Sequence, residues 1–117
     1  MLGFSMHWML AHLIGDYVLQ NDWMATNKKR RDLPCMVHAI LYTIPFLFCS
    51  MQPWQLLAIM VQHFLQDRTD FVVWFAKAKG SGPFVDPKGI FFPWSIVALD
   101  NVLHILFIAL VVWIGSF

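Results

Sequence analysis

The sequence predicts an all-α fold: a four-transmembrane-helix antiparallel bundle with short loops and an interfacial segment before the last helix. Two observations predict it. Hydrophobic residues make up 59% of the chain and charged residues only 13%, about half the usual charged share of soluble domains, and the mean hydropathy is +0.61. The 117 residues are one domain's worth of chain, and a soluble domain so small leaves roughly 40% of its unfolded surface in water. The apolar excess must therefore face lipid. The apolar residues also fall into four segments, 2–19, 34–51, 53–76 and 95–117, each near the roughly 20 residues that cross a bilayer as a helix. A soluble globular domain, a disordered tail and a nucleic-acid-binding module are excluded on composition.

The first segment has no basic stretch before it and no small-residue cleavage pattern after it, so it reads as a retained span and not a signal peptide. The second opens at Pro34, well suited to a first helical turn, and Pro45 is expected to kink it. The third opens at Pro53 and the fourth near Ser95. Backbone polar groups in lipid must pair internally, which leaves helices as the form of all four. Cys35 and Cys49 are 14 residues apart on the second segment, about 21 Å of helical rise and too far for a disulfide.

Seven of the eight cations (Lys28, Lys29, Arg30, Arg31, Lys77, Lys79, Lys88) lie in or beside the first and third connections. By the positive-inside rule those loops are cytoplasmic and both termini lie outside the cytoplasm. The run Lys28–Arg31 reads as a topology determinant that also attracts anionic headgroups. Trp8, Trp54 and Trp113 fit an outer aromatic belt, with His7 beside it, and Trp23, Trp74 and Trp94 an inner one. "GIFFPW" before the fourth segment suits the interface.

Against this background the ionisable residues stand out. Asp16, Asp67, Asp70 and Asp100 lie within the spans, as do His12, His38, His63 and His104. A span-centre Asp costs roughly 2.5–3.5 kcal/mol, so four carboxylates together cost on the order of 10 kcal/mol unless protons, hydrogen bonds, Arg68 or a cation neutralise them. The spacing is ordered. His12 and Asp16 in "HLIGD" and His63 and Asp67 in "HFLQD" stand at i, i+4, and Asp100 and His104 in "DNVLH" repeat the spacing reversed. Residues four apart share a helix face, and chance gives about 0.6 such pairs. In alternating helices the Asp of each pair is nearer the cytoplasm, and the set falls within about 6–20 Å of the cytoplasmic ends.

Imidazole plus carboxylate is a ligand set for Zn, Mn or Fe, and facing helices of a bundle can hold one or two such ions. The candidate ligands are His12, Asp16, His63, Asp67, Asp100 and His104, with His38 and Asp70 as general base or extra ligand. A bound cation neutralises the carboxylates and activates water for hydrolysis. Taken singly, each His–Asp pair is more readily explained as hydrogen-bonded glue between helices. Three pairs at matched depth favour the metal site.

At these motifs the chain resembles an uncharacterised bacterial and phage integral-membrane family, catalogued as domain of unknown function 3307. The resemblance spans essentially the whole length and rests on "HLIGDYVLQNDWMATNK", the lone His38, "HFLQDRTDF" and "LDNVLHIL". It departs from the family pattern at Gln66, where a hydrophobic residue is usual, and at Asp70, where a Lys tends to follow. Asp70 is thus either part of a family site or peculiar to this chain. The resemblance implies a four-helix protein of the bacterial inner membrane, with Gln20, Asn21 and Asp22 at the mouth of the site. A more distant likeness to small membrane-bound metal-dependent hydrolases implies a lipid-like substrate. Two rival readings are a proton or ion pathway and a non-catalytic membrane interaction module, such as a phage-encoded protein acting on the host envelope. Four short helices enclose little volume, so a homo-oligomer suits all three readings.

Overall fold

The computed structural model describes residues 6–117; residues 2–5 of the first expected span lie outside them. Among the described residues the regular structure is entirely helical. Helix α1 (Met6–Leu13) continues directly into a π-helical turn, Ile14–Val18. Helix α2 (Asp22–Asn27) starts at Asn21, whose Oδ1 accepts the Met24 N–H at 3.0 Å, a side-chain N-cap.

Helix α3 (Asp32–Thr43) begins two residues before Pro34, which sits in its first turn where a missing N–H costs nothing. At Pro45 the helix tightens into a 3₁₀ segment, Ile44–Cys49, in place of the simple kink expected there. The chain reverses at Ser50 and enters α4 (Pro53–Arg68). Cys35 and Cys49 are free thiols.

The third expected span is not one helix to Ala76. It breaks at Thr69–Asp70, and α5 (Phe71–Ala78) follows. The last turn of α4 leaves carbonyls without helical partners. Lys29 Nζ reaches across to two of them, Asp67 O and Thr69 O, both at 3.1 Å. After the short 3₁₀ turn Gly82–Phe84, helix α6 (Trp94–Gly115) runs the length of the molecule.

Helix α3 packs along α4, α4 along α6, and α1 against the 3₁₀ segment. Gly15 sits so close to α3 that a Cβ there would fall 2.7 Å from Tyr42 O and 2.9 Å from Tyr42 Cα. The apolar core, Trp8, Ala11, Tyr42, Phe46, Ile59, Ile108 and Val111, lies toward the end away from the basic loops. Trp8 is therefore a core residue and not part of an aromatic belt.

Two helical stretches, Asp32–Cys49 and Trp94–Gly115, are long and apolar enough to cross a membrane, with mean hydropathies of 1.5 and 2.3. Helix α4 has 16 residues, about 24 Å of rise.

Candidate metal centre

Helices α3, α4 and α6 and the π turn after α1 each turn a polar side chain into the shared interior. His12, His38, His63 and His104 are fully buried, and Asp16 and Asp67 nearly so. Ordinary interiors bury charged residues only when they are paired.

Four of these residues converge. His38 Nε2 lies 3.2 Å from Asp16 Oδ1 and 3.2 Å from Asp67 Oδ2. His63 Nε2 lies 3.0 Å from Asp67 Oδ2, 3.8 Å from Asp16 Oδ1 and 2.8 Å from His38 Nε2. A cation bound tetrahedrally at 2.0–2.1 Å sets its ligand atoms about 3.3 Å apart, and these separations bracket that figure. One further feature fits a cation better than hydrogen bonds alone: a single oxygen, Asp67 Oδ2, faces both imidazoles and an ammonium. The Nδ1 atoms of His38 and His63 are buried without a hydrogen-bond partner.

A second group, Asp16, Asp100 and His104, also offers ligand atoms within 4.8 Å of one another and shares Asp16 with the first. His104 Nε2 lies 3.6 Å from Asp100 Oδ2 and 3.2 Å from Asp67 Oδ1.

Of the three i, i+4 pairs, His63–Asp67 and Asp100–His104 face each other. His12 and Asp16 do not. The π turn needs more residues per turn, so Asp16 rotates off the His12 face. His12 has both nitrogens occupied elsewhere. Asn101 Oδ1 accepts from His12 Nε2 at 2.7 Å, and the Asn101 amide nitrogen donates to Tyr17 Oη. Nδ1 then accepts from the Tyr42 hydroxyl at 2.6 Å. Asp70 lies outside the cluster, exposed at the start of α5. His38, expected as base or extra ligand, stands at the centre.

Arg68 does not face Asp67. It bonds Asp32 at 2.8 Å and Lys29 O at 2.7 Å. The counter-charge on Asp67 is Lys28, Nζ to Oδ2 3.0 Å. Burial alone would lower the Lys28 pKa, but Asp67, with Asp16 and Asp100 beyond it, outweighs burial and holds it above the usual lysine value.

Other contributing residues gave weaker sequence signals. Tyr42 lies four residues after His38 on the same face and stacks on His63 with ring centroids 3.6 Å apart. Gln62 and Gln66 interrupt the apolar run of α4 and lead toward His104 and Asp100. Lys28 gave no local signal, since its partner is 39 residues away.

The cluster opens into a cavity of about 260 Å³. Asp16, Lys28, Asp67 and Asp100 line it together with Val72, Val73 and Val97. Gln20 also lines it, and its buried Oε1 has no partner.

The family model described as "Protein of unknown function (DUF3307)" matches residues 4–116. No curated protein and no solved structure matches the chain.

Proposed function

The chain belongs to the DUF3307 family, and we propose that it is a polytopic membrane protein that binds a divalent cation between Asp16, His38, His63 and Asp67 and hydrolyses a membrane-partitioned substrate. The observation that carries the reading is the set of four buried ligand atoms within 4.8 Å of one another, with nitrogen–oxygen separations of 3.0–3.8 Å. The mixed imidazole and carboxylate set suits Zn, Mn or Fe.

The membrane reading draws support from an inside-out distribution. Charged and imidazole groups share the interior with the apolar core, while apolar stripes face outward on α3 and its 3₁₀ extension (Leu33, Met36, Ile40, Leu47), α4 (Leu57, Val61, Leu65) and α6 (Val102, Leu106, Leu110). Leu10, Leu13 and Ile14 continue the pattern on α1 and its π turn. Such continuous exposed apolar surface is foreign to soluble monomers. Four crossings, with the Lys28–Arg31 and Lys77–Lys88 loops in the cytoplasm of a bacterial cell and both ends outside, account for it.

A bound cation supplies Lewis acidity and a water acidic enough to attack at neutral pH. The cavity gives that chemistry a route. Its lining mixes carboxylates and ammonium groups with valines and an isoleucine, which suits an amphiphilic ester, phosphoester or amide.

Elemental analysis of detergent-purified protein tests the reading. It predicts stoichiometric Zn, Mn or Fe, lost in Asp16→Ala and His63→Ala; metal-free wild type overturns it. A proton pathway is the second reading, favoured by the unbroken contacts from Lys28 through Asp67 to His38, His63 and His104. It predicts proton flux in liposomes and no tightly bound metal.

A further inference from the structure

We infer that the centre takes a second divalent cation, held by His104, Asp100 and Asp16, with the Asp67 carboxylate spanning the two positions. This rests on the single-cation reading above and extends it to a two-metal centre.

The inference comes from the polarity of a chain of side-chain amides. Gln66 Nε2 lies 3.0 Å from Asp100 O and 2.9 Å from Asp100 Oδ1. Both are acceptors, which fixes the nitrogen of the Gln66 amide on that side and its Oε1 on the other. Gln66 Oε1 in turn lies 2.7 Å from Gln62 Nε2, so the Gln62 nitrogen donates there. The Gln62 Oε1 is left facing His104 Nδ1 at 3.4 Å, and only a protonated Nδ1 can meet it. Flipping either amide sets oxygen against oxygen somewhere along the chain. The tautomer of His104 is thus assigned by elimination: Nδ1 carries the proton.

In neutral His104 the Nε2 lone pair then points inward, and everything it faces is also an electron-pair donor. Asp67 Oδ1 is at 3.2 Å and Asp100 Oδ2 at 3.6 Å. Gln66 already occupies the other oxygen of Asp100, which leaves Oδ2 turned to the same point. A nitrogen lone pair and two carboxylate oxygens aimed at one place repel one another unless a metal cation or a further proton sits between them. The Gln62–Gln66 chain also has the form in which a hydrogen bond to the outer nitrogen orients a ligating imidazole.

Asp67 ties this position to the first. Its Oδ2 faces His38 and His63 while its Oδ1 faces His104. Asp16 belongs to both ligand sets. Two ions joined through carboxylates lie about 3.5–4 Å apart, the spacing at which a pair clamps both the attacking and the leaving oxygen of a displacement. The alternative occupant is a proton, either on His104 as an imidazolium or on a facing carboxyl that then donates to Nε2, and neither needs a metal.

Metal counting on the full-length, detergent-purified chain, equilibrated with Zn²⁺ and desalted, separates these outcomes. The inference predicts two equivalents in wild type and one in Asp100→Asn, which removes a half-buried ligand with little change of shape. Gln66→Leu, which breaks the amide chain and leaves every ligand in place, is expected to weaken the second equivalent at least tenfold and spare the first. Mn²⁺ loading adds a readout independent of folding: an exchange-coupled signal by electron paramagnetic resonance in wild type, and an isolated-ion signal in Asp100→Asn. One equivalent in wild type, unchanged by Asp100→Asn, overturns the second position and leaves the single-cation reading standing. No bound metal in wild type overturns both.

Discussion

Lys28 Nζ lies 3.0 Å from Asp67 Oδ2, joining the C-terminal end of α2 to a buried carboxylate of α4. Both partners are largely shielded from water, so removing the ammonium leaves the carboxylate to the imidazoles of His38, His63 and His104 alone. Lys28→Met is expected to destabilise the chelator-treated protein by about 1–3 kcal/mol. Saturating Zn²⁺ should recover part of that loss, because a cation at the centre also neutralises Asp67. Thermal unfolding in detergent with and without metal measures both quantities.

The same pair predicts a stability limit at alkaline pH. Folding raises the Lys28 pKa above its ordinary 10.5, so the folded state holds this proton more tightly than the unfolded one. The contribution is fully present below about pH 10.5 and is lost as pH rises through the higher folded value. Unfolding midpoints from pH 9 to 12 should fall more steeply in wild type than in Lys28→Met.

Gly15→Ala tests the close approach of the π turn to α3. The added methyl meets the Tyr42 backbone at 2.7–2.9 Å, and backbone cannot swing aside as a side-chain tip can. A cost of about 1–3 kcal/mol is expected, seen as a lowered unfolding midpoint. Because the shift falls on Asp16 and Tyr42 together, weaker metal binding should accompany it.

The interior was legible in the sequence to the extent that it depends on local spacing. The His63–Asp67 and Asp100–His104 pairs lie on regular α-helix, where four residues return to one face, and they meet. His12–Asp16 has the same spacing, but a π turn intervenes, and no periodicity announces a change of helix type. The break at Thr69–Asp70 was hidden for a related reason. Lys29, from a distant loop, takes the carbonyls that another helical turn would have used. Lys28 and Arg68 show the same limit: which cation reaches Asp67 is decided by the fold, not by adjacency to it.

Tyr42→Phe separates glue from ligation. The lost hydroxyl leaves buried His12 Nδ1 without its donor, at a cost of about 1–3 kcal/mol. His12 has no nitrogen facing the Asp16–Asp67 cluster, so metal content should stay unchanged. Parallel unfolding and elemental measurements on this variant check both statements.

Topology is open to reporter fusions. Alkaline phosphatase fused after Phe117 should be active, and green fluorescent protein fused after Gly80 should fluoresce, as the basic loops demand. The opposite pattern would invert the orientation while leaving the cluster as described.

X-ray absorption at the edge of the metal bound to purified protein tests the shared-cation centre most directly. A nitrogen and oxygen shell near 2.0–2.2 Å with outer-shell scattering from at least two imidazoles is the result expected for His38 and His63, with the imidazole signal reduced in His38→Ala. An all-oxygen hydration shell, or imidazole scattering untouched by that substitution, would contradict the account.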